Sequence, residues 1–169
     1  NTAMHCAEKW DHAVDIGGGS GHYAYPLVHK FKHVTLVEPT HEKEHPIIEK
    51  KYPNFKVIHD LIENVKLEKK ADYILLTDVF EHIPDIRPFA KILSDMQDPG
   101  GIVYILTPNP VFCGPAVESA LHHSLKGIYG HIRHYFKHEV EEIMAEQGYM
   151  LVHHSYEEAP LRTPVRDII

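Results

Sequence analysis

The chain has 169 residues, 43% of them hydrophobic, which suits one domain of ordinary size with a full core of its own. Asp and Glu outnumber Lys and Arg by 24 to 17, for a formal net charge of −7. The longest basic runs, Lys50-Lys51 and Lys69-Lys70, are short and bordered by Glu, which excludes the clustered basic footprint of a nucleic-acid binder. No stretch approaches the ~18 apolar residues of a membrane span, and the segment NTAMHCAEKW lacks the basic-then-apolar pattern of a signal peptide. Cys6 and Cys113 stand far apart in no metal-ligand spacing, so the expectation is a cytoplasmic protein with reduced thiols. Sixteen scattered histidines leave metal binding and sensitivity to pH near neutrality open.

In chain order, apolar runs of strand length fall at His12–Ile16, His33–Val37, Asn54–Ile58, Ala71–Leu76 and Gly101–Leu106. Their Val, Ile, Leu and Tyr content is that of strands buried on both faces. Helical patterns lie between them. Tyr23–Phe31 follows a glycine-rich turn, with Tyr23 and Tyr25 just beyond it: Tyr23 packs over a bound ligand or, as aromatics of a first helical turn more often do, both belong to the core. His41–Lys51 is charged around Ile47 and Ile48, and Ile86–Met96 puts Ile86, Phe89, Ala90, Leu93 and Met96 on one face. This alternation predicts an α/β fold with a mostly parallel twisted sheet and right-handed crossovers.

Pro99-Gly100-Gly101 predicts a turn into the fifth strand. Residues 107–130 then break the rhythm, with Pro108, Pro110, Pro115 and a weak helical stretch at Val117–Leu125. A connection of that length is commonly functional, and it is the expected substrate-covering insertion. Lys137–Gln147 is the last clear helix, capped by Gly148, and Tyr149–Tyr156 reads as a sixth strand. One domain over residues 1–169 accounts for the whole pattern.

The strongest signal is HAVDIGGGSGHYA, in which a strand ends at Asp15 and glycines follow at 17, 18, 19 and 21 before helical sequence resumes. Glycine lets a ligand lie against the backbone, and ligands of open α/β sheets bind at the carboxyl ends of strands. A dinucleotide site wants G-x-G-x-x-G, with pyrophosphate at a helix N-terminus. Here the pattern is D-x-G-x-G-x-G, and the Asp15 carboxylate would repel a phosphate. A ligand with an ammonium group and a sulfonium would be attracted, which favours S-adenosylmethionine (SAM). Glu38 ends the second strand, where its carboxylate can accept both ribose hydroxyls. Asp60, after the third strand, can accept from the adenine amino group while the Leu61 backbone faces the ring; alternatively it is a helix cap.

Taken together, VDIGGGSG, LVEP and ADYILLTDVFEHIPD resemble the class I SAM-dependent methyltransferases. They are most similar to the group with a D-V-x-E-H-I segment, which includes ubiquinone-pathway O-methyltransferases. GGIVYILTPNP and GHIRHYFKHEVEEIMAEQGYMLV resemble that group's later segments. The resemblance implies a Rossmann-like sheet of six or seven strands in the order 3-2-1-4-5-7-6, with helices on both faces. It further implies SAM as methyl donor, S-adenosylhomocysteine as product, and an acceptor oxygen on a small molecule or a lipid- or sugar-linked group. Little sequence remains for a seventh strand, and an N-terminal helical cap is minimal. Covering elements would then come from residues 107–130 or from a second subunit, as in a homodimer.

Within that likeness Asp78 lines the methionine end of SAM, and Glu81 caps or pairs locally. His82, at the end of strand four, and His134, in a segment with His131 and Arg133, are the candidates for a general base or an acceptor-positioning group. Asp78, Glu81 and His82 also resemble the E-x-x-E-H metal motif of some relatives, with Asp in place of the first Glu, and no metal is assigned. Two other readings remain open. One is an NAD or nucleotide-sugar oxidoreductase, which needs a pyrophosphate seat. The other is a catalytically degenerate SAM-binding or regulatory subunit.

Overall fold

The protein is described here by a computed structural model, which covers residues 11–108 and 132–155. The expectations for Cys6, Cys113, His131, the stretch Val117–Leu125 and nearly all of the covering insertion fall outside the described residues.

Five strands form one sheet: β1 (His12–Ile16), β2 (His33–Val37), β3 (Phe55–Ile58), β4 (Ala71–Thr77) and β5 (Gln97–Leu106). Their order is β3-β2-β1-β4-β5, and each neighbouring pair is parallel. This is the Rossmann-like order expected up to the fifth strand. Side chains alternate across the pleat and feed two cores. Val14, Ile16, Ile74 and Leu76 face α2 (Ile86–Asp95) and α3 (Lys137–Glu146), meeting Phe89, Leu93, Ile143 and Met144. Ala13, Val34, Leu36, Tyr73 and Leu75 face the other way, onto Leu27, Val28 and Phe31. The short helix α1 (His45–Lys51) lies beside β3, with Ile48 against that second core. Asp85 begins α2 by accepting a hydrogen bond from the Arg87 N–H at 3.1 Å, as an N-cap does.

Several expectations need correcting. Tyr23–Phe31 is not a full helix: only Tyr25–His29 forms a 3-10 turn. Pro26 lacks the N–H that would extend the ladder, and the Asn54 amide donates to the Val28 and Phe31 carbonyls at 3.0 Å each, closing the turn. Tyr23 and Tyr25 are exposed, not core, and set their rings edge-on to His22. The predicted turn at Pro99–Gly101 is instead absorbed into β5. Ala71 pairs with Gln97 but Tyr73 with Ile102, so the intervening residues of β5 bulge out of register. Gly100 carries the φ of 91° that such a bulge needs. Tyr149–Tyr156 is not a strand over its described part: residues 149–155 are irregular, with Met150, Leu151 and Val152 exposed. Tyr149 is tied at both ends, its N–H donating to the Met144 carbonyl at 3.2 Å and its hydroxyl to Gln97 Oε1 at 2.8 Å. Among the described residues no helix is long and apolar enough to cross a membrane.

Candidate functional site

In this strand order the chain leaves β1 for β2 on one side and returns to β4 on the other. The crevice beyond the carboxyl ends of β1 and β4 is therefore the switch point where open α/β sheets take ligands. The loop after β1 fills it. Gly17 N–H donates to the Val37 carbonyl at 2.8 Å, anchoring the loop across β2. Gly18 lies directly over Asp15: a Cβ built there would stand 2.3 Å from Asp15 Oδ2 and 2.7 Å from Leu36 Cδ1. Gly19 has φ of 51° and nothing within 4 Å of its Cβ position, so it is the glycine whose face is open to a ligand. Gly17 and Gly21 are needed for packing, against Val79 and against Leu36, Ile48 and Phe55.

Asp15 is 0% exposed, and neither carboxylate oxygen has a hydrogen-bond partner. Burial pushes its pKa up from 3.8 to about 7, and the charge of Glu38 adds to the effect. An unpaired buried carboxylate is destabilising, and here it sits beneath the glycine turn at the carboxyl ends of β1 and β4. Because Gly18 covers it, a group in the crevice meets the field of Asp15 before it meets the oxygens.

Glu38, at the end of β2, is nearly buried and already engaged. Gly19 N–H donates to Oε2 at 2.9 Å, while the Thr40 N–H and hydroxyl donate to Oε1 at 2.9 and 2.8 Å. The other polar atom of Gly19 is held as well: its carbonyl accepts from His45 Nε2 at 2.7 Å. His45 is the first residue of α1 and only 1% exposed. It packs near His59, whose ring stacks on His41 at 3.8 Å and whose Nδ1 donates to the Thr40 carbonyl at 3.0 Å. These three histidines were not singled out by the sequence reading, since nothing in their spacing marks them. Asp60 is exposed, and its Oδ1 accepts from Leu61 N–H at 2.7 Å and Asn64 Nδ2 at 2.8 Å. It is not the helix cap, since Leu61 holds that position before the 3-10 turn Ile62–Asn64 and no side chain caps it; Leu61 is exposed beside it.

Across the crevice, Asp78 follows β4 in a left-handed conformation, φ 55°, with its N–H donating to the Leu106 carbonyl at 2.9 Å. Strain of this kind at a non-glycine residue clusters at functional sites. A 3-10 turn, Phe80–His82, comes next. Glu81 is fully buried and accepts from the Thr107 hydroxyl at 3.3 Å, and burial foremost raises its pKa. Its backbone carbonyl takes the Ile132 and Arg133 N–H groups at 2.7 and 3.1 Å, and the Tyr135 hydroxyl donates to the Ile83 carbonyl at 2.7 Å. Residues 132–135 are thereby stitched along residues 81–83. This brings the segment of His134, which is half-buried, beside that of His82, which is exposed. Arg133 lies 4.4 Å over the Tyr135 ring and pairs with Glu139 at 2.6 Å, which lets it fix the entry to α3. Among the described residues no cluster of three His, Cys, Asp or Glu is arranged to hold a metal ion.

A methyltransferase-domain family profile matches residues 8–154. The chain belongs to that family, and its fold is that of the class I SAM-dependent methyltransferases. Among solved structures it is similar to YcgJ from Bacillus subtilis, with TM-score 0.69 at 18% identity over 85% of this chain and 64% of that one. It is also similar to an O-methyltransferase family protein from Burkholderia thailandensis, with TM-score 0.71 at 14% identity over 92% of this chain and 52% of that one. A third is the N-methyltransferase NodS from Bradyrhizobium japonicum bound to S-adenosylhomocysteine, with TM-score 0.59 at 15% identity over 80% of this chain and 64% of that one. The chain thus spans between about half and two thirds of the length of these three structures. No curated protein matches the sequence.

Proposed function

We infer that this chain transfers the methyl group of SAM to an oxygen of a small molecule or of a lipid- or sugar-linked acceptor. The observation that carries the reading is Asp15, a sealed carboxylate with both oxygens unpartnered under the ligand-facing turn. A negative field at that point opposes pyrophosphate, and with it a nicotinamide or nucleotide-sugar cofactor. It favours a cationic amino-acid moiety. Gly17, Gly18, Gly19 and Gly21 shape the turn so that the methionine end of SAM can approach backbone. Glu38 accepts three donors from the protein, and a carboxylate has about four lone-pair sites, which leaves room for a ribose hydroxyl. Asp60 keeps Oδ2 for the adenine amino group, with exposed Leu61 beside the ring. Asp78 faces the same crevice end from β4.

SAM supplies a methyl carbon made electrophilic by positive sulfur, so the chain's own work is to position the acceptor, exclude water and take a proton. His82 or His134 is the group that accepts the hydroxyl proton, since the stitching of 132–135 onto 81–83 sets both beside the β4 end. The acceptor oxygen rests on the D-V-F-E-H-I likeness.

Calorimetry with SAM, S-adenosylhomocysteine and NAD tests the cofactor. Binding of the first two and not the third is expected, and tight NAD binding alone overturns the reading. Release of S-adenosylhomocysteine in the presence of a panel of hydroxylated acceptors tests the reaction, and its absence from a protein that binds SAM overturns oxygen as the acceptor atom. Replacing the base by Ala, at His82 or His134, should lower kcat by roughly 100-fold or more with SAM affinity retained. Whichever variant turns over normally is thereby removed from the mechanism.

A further inference from the structure

The two peptide groups that flank the Gly19 Cα are each held by a side chain that comes from the segment after β2. The Gly19 N–H goes to Glu38 Oε2 at 2.9 Å and the Gly19 carbonyl takes His45 Nε2 at 2.7 Å. Within the loop after β1, Gly19 is also the glycine that combines an open face with a left-handed φ, and glycine loses more conformational freedom than any other residue when it is fixed. His45 reaches it from the start of α1, a position fixed by the His45 N–H on the Glu42 carbonyl at 3.2 Å. The tautomer follows from the partners. A carbonyl only accepts, so Nε2 carries the hydrogen; the Glu42 N–H, 3.4 Å from Nδ1, only donates, so Nδ1 offers its lone pair. At 1% exposure the ring is closed off from the crevice and from solvent.

We propose that His45 is a positioning residue for SAM: together with Glu38 it clamps the peptide groups on either side of Gly19, presetting the left-handed turn against which the cofactor binds. This rests on the reading of the glycine loop as the SAM site. The chemistry fits a preset loop, since a turn ordered before binding does not have to be ordered at the expense of affinity. It also gives Glu38 two duties, holding the turn with one oxygen while Thr40 holds the other, so loop shape and ribose acceptor are oriented by one carboxylate.

Two variants separate the hydrogen bond from mere filling of the site. Gln at this position can present an amide N–H where Nε2 stands, and Leu can fill the space but cannot donate. Two readouts are needed, SAM and S-adenosylhomocysteine affinity by calorimetry and hydrogen exchange of the Gly19 amide in the free protein. His45→Leu is expected to weaken both ligands about tenfold and to speed Gly19 exchange by a similar factor, the worth of one buried hydrogen bond. His45→Gln should recover most of both. Unchanged Gly19 exchange in His45→Leu overturns the clamp, and so does equal damage from Gln and Leu with cooperative melting retained, which would make the role one of shape. If the unsubstituted protein binds neither ligand, the SAM reading falls, while the exchange comparison still decides whether His45 holds the turn.

Discussion

A carboxylate with no partner, fully buried, is a group that weakens the fold around it, and Asp15 is that group here. Its pKa is raised in the folded state, so the folded form binds a proton more tightly than the unfolded chain does. Stability from this group is complete below the unfolded value near 3.8 and is lost as pH rises through about 7. At ~1.4 kcal/mol per pKa unit the whole loss is roughly 4 kcal/mol, most of it incurred above pH 5. Asp15→Asn removes the ionisation, so its effect on stability should be about 2–3 kcal/mol more favourable at pH 8 than at pH 5, measured by urea unfolding at the two values. An identical effect at both pH values would show that Asp15 titrates normally. The same variant should lose SAM affinity, because the field it removes is the one that attracts the cation. Gly18 is tied to this group by contact. Its Cβ position is 2.3 Å from Asp15 Oδ2, so Gly18→Ala must push the loop away from β1. It is expected to abolish measurable SAM binding and to destabilise the fold by about 1–3 kcal/mol, as overpacking does.

At the scale of elements, the site depends on segments being held at the sheet's carboxyl edge. Residues 132–135 have no ladder of their own. They are held by the Glu81 carbonyl, by the Tyr135 hydroxyl on the Ile83 carbonyl, and by Arg133 between the Tyr135 ring and Glu139. Tyr135→Phe keeps the buried ring and removes the hydroxyl, so it should cost about 1 kcal/mol of stability while lowering kcat more than it affects SAM affinity. Unaltered turnover in the Tyr135→Phe variant would separate this segment from catalysis. The five strands and the helix α2 were legible in the sequence because apolar runs of strand length and a one-sided apolar face are local signals. The 3-10 turn at Tyr25–His29 was not, since its stop is set by Asn54, far along the chain. The bulge in β5 was also hidden: Pro99-Gly100 looks the same whether it turns the chain or steps it out of register with Ala71 and Tyr73.

For the whole molecule, the same distinction separates what the glycine loop disclosed from what it concealed. The acids at successive strand ends could be listed from the sequence, but the cover of Gly18 over Asp15, the triple occupancy of Glu38 and the grip of His45 on Gly19 arise only when β1 and β2 are laid side by side. Those contacts couple ligand binding to protonation. His12 is nearly buried, and desolvation foremost lowers its pKa, so its contribution is present above its ordinary 6.5 and lost as pH falls. Asp15 and Glu81, both raised chiefly by burial, work in the opposite sense. The free protein should therefore be most stable on the acid side of neutrality. A bound cation near Asp15 favours its ionised form and offsets the penalty that grows with pH, so binding SAM should release a proton. Affinity is then expected to rise by roughly tenfold from pH 5.5 to 7, since each pKa unit is worth ~1.4 kcal/mol. The SAM-induced rise in Tm should increase over the same interval by mass action. Calorimetry in buffers of different ionisation enthalpy reads the proton directly. The slope should vanish in Asp15→Asn, and a slope that survives there would assign the proton to another group and detach Asp15 from the cofactor.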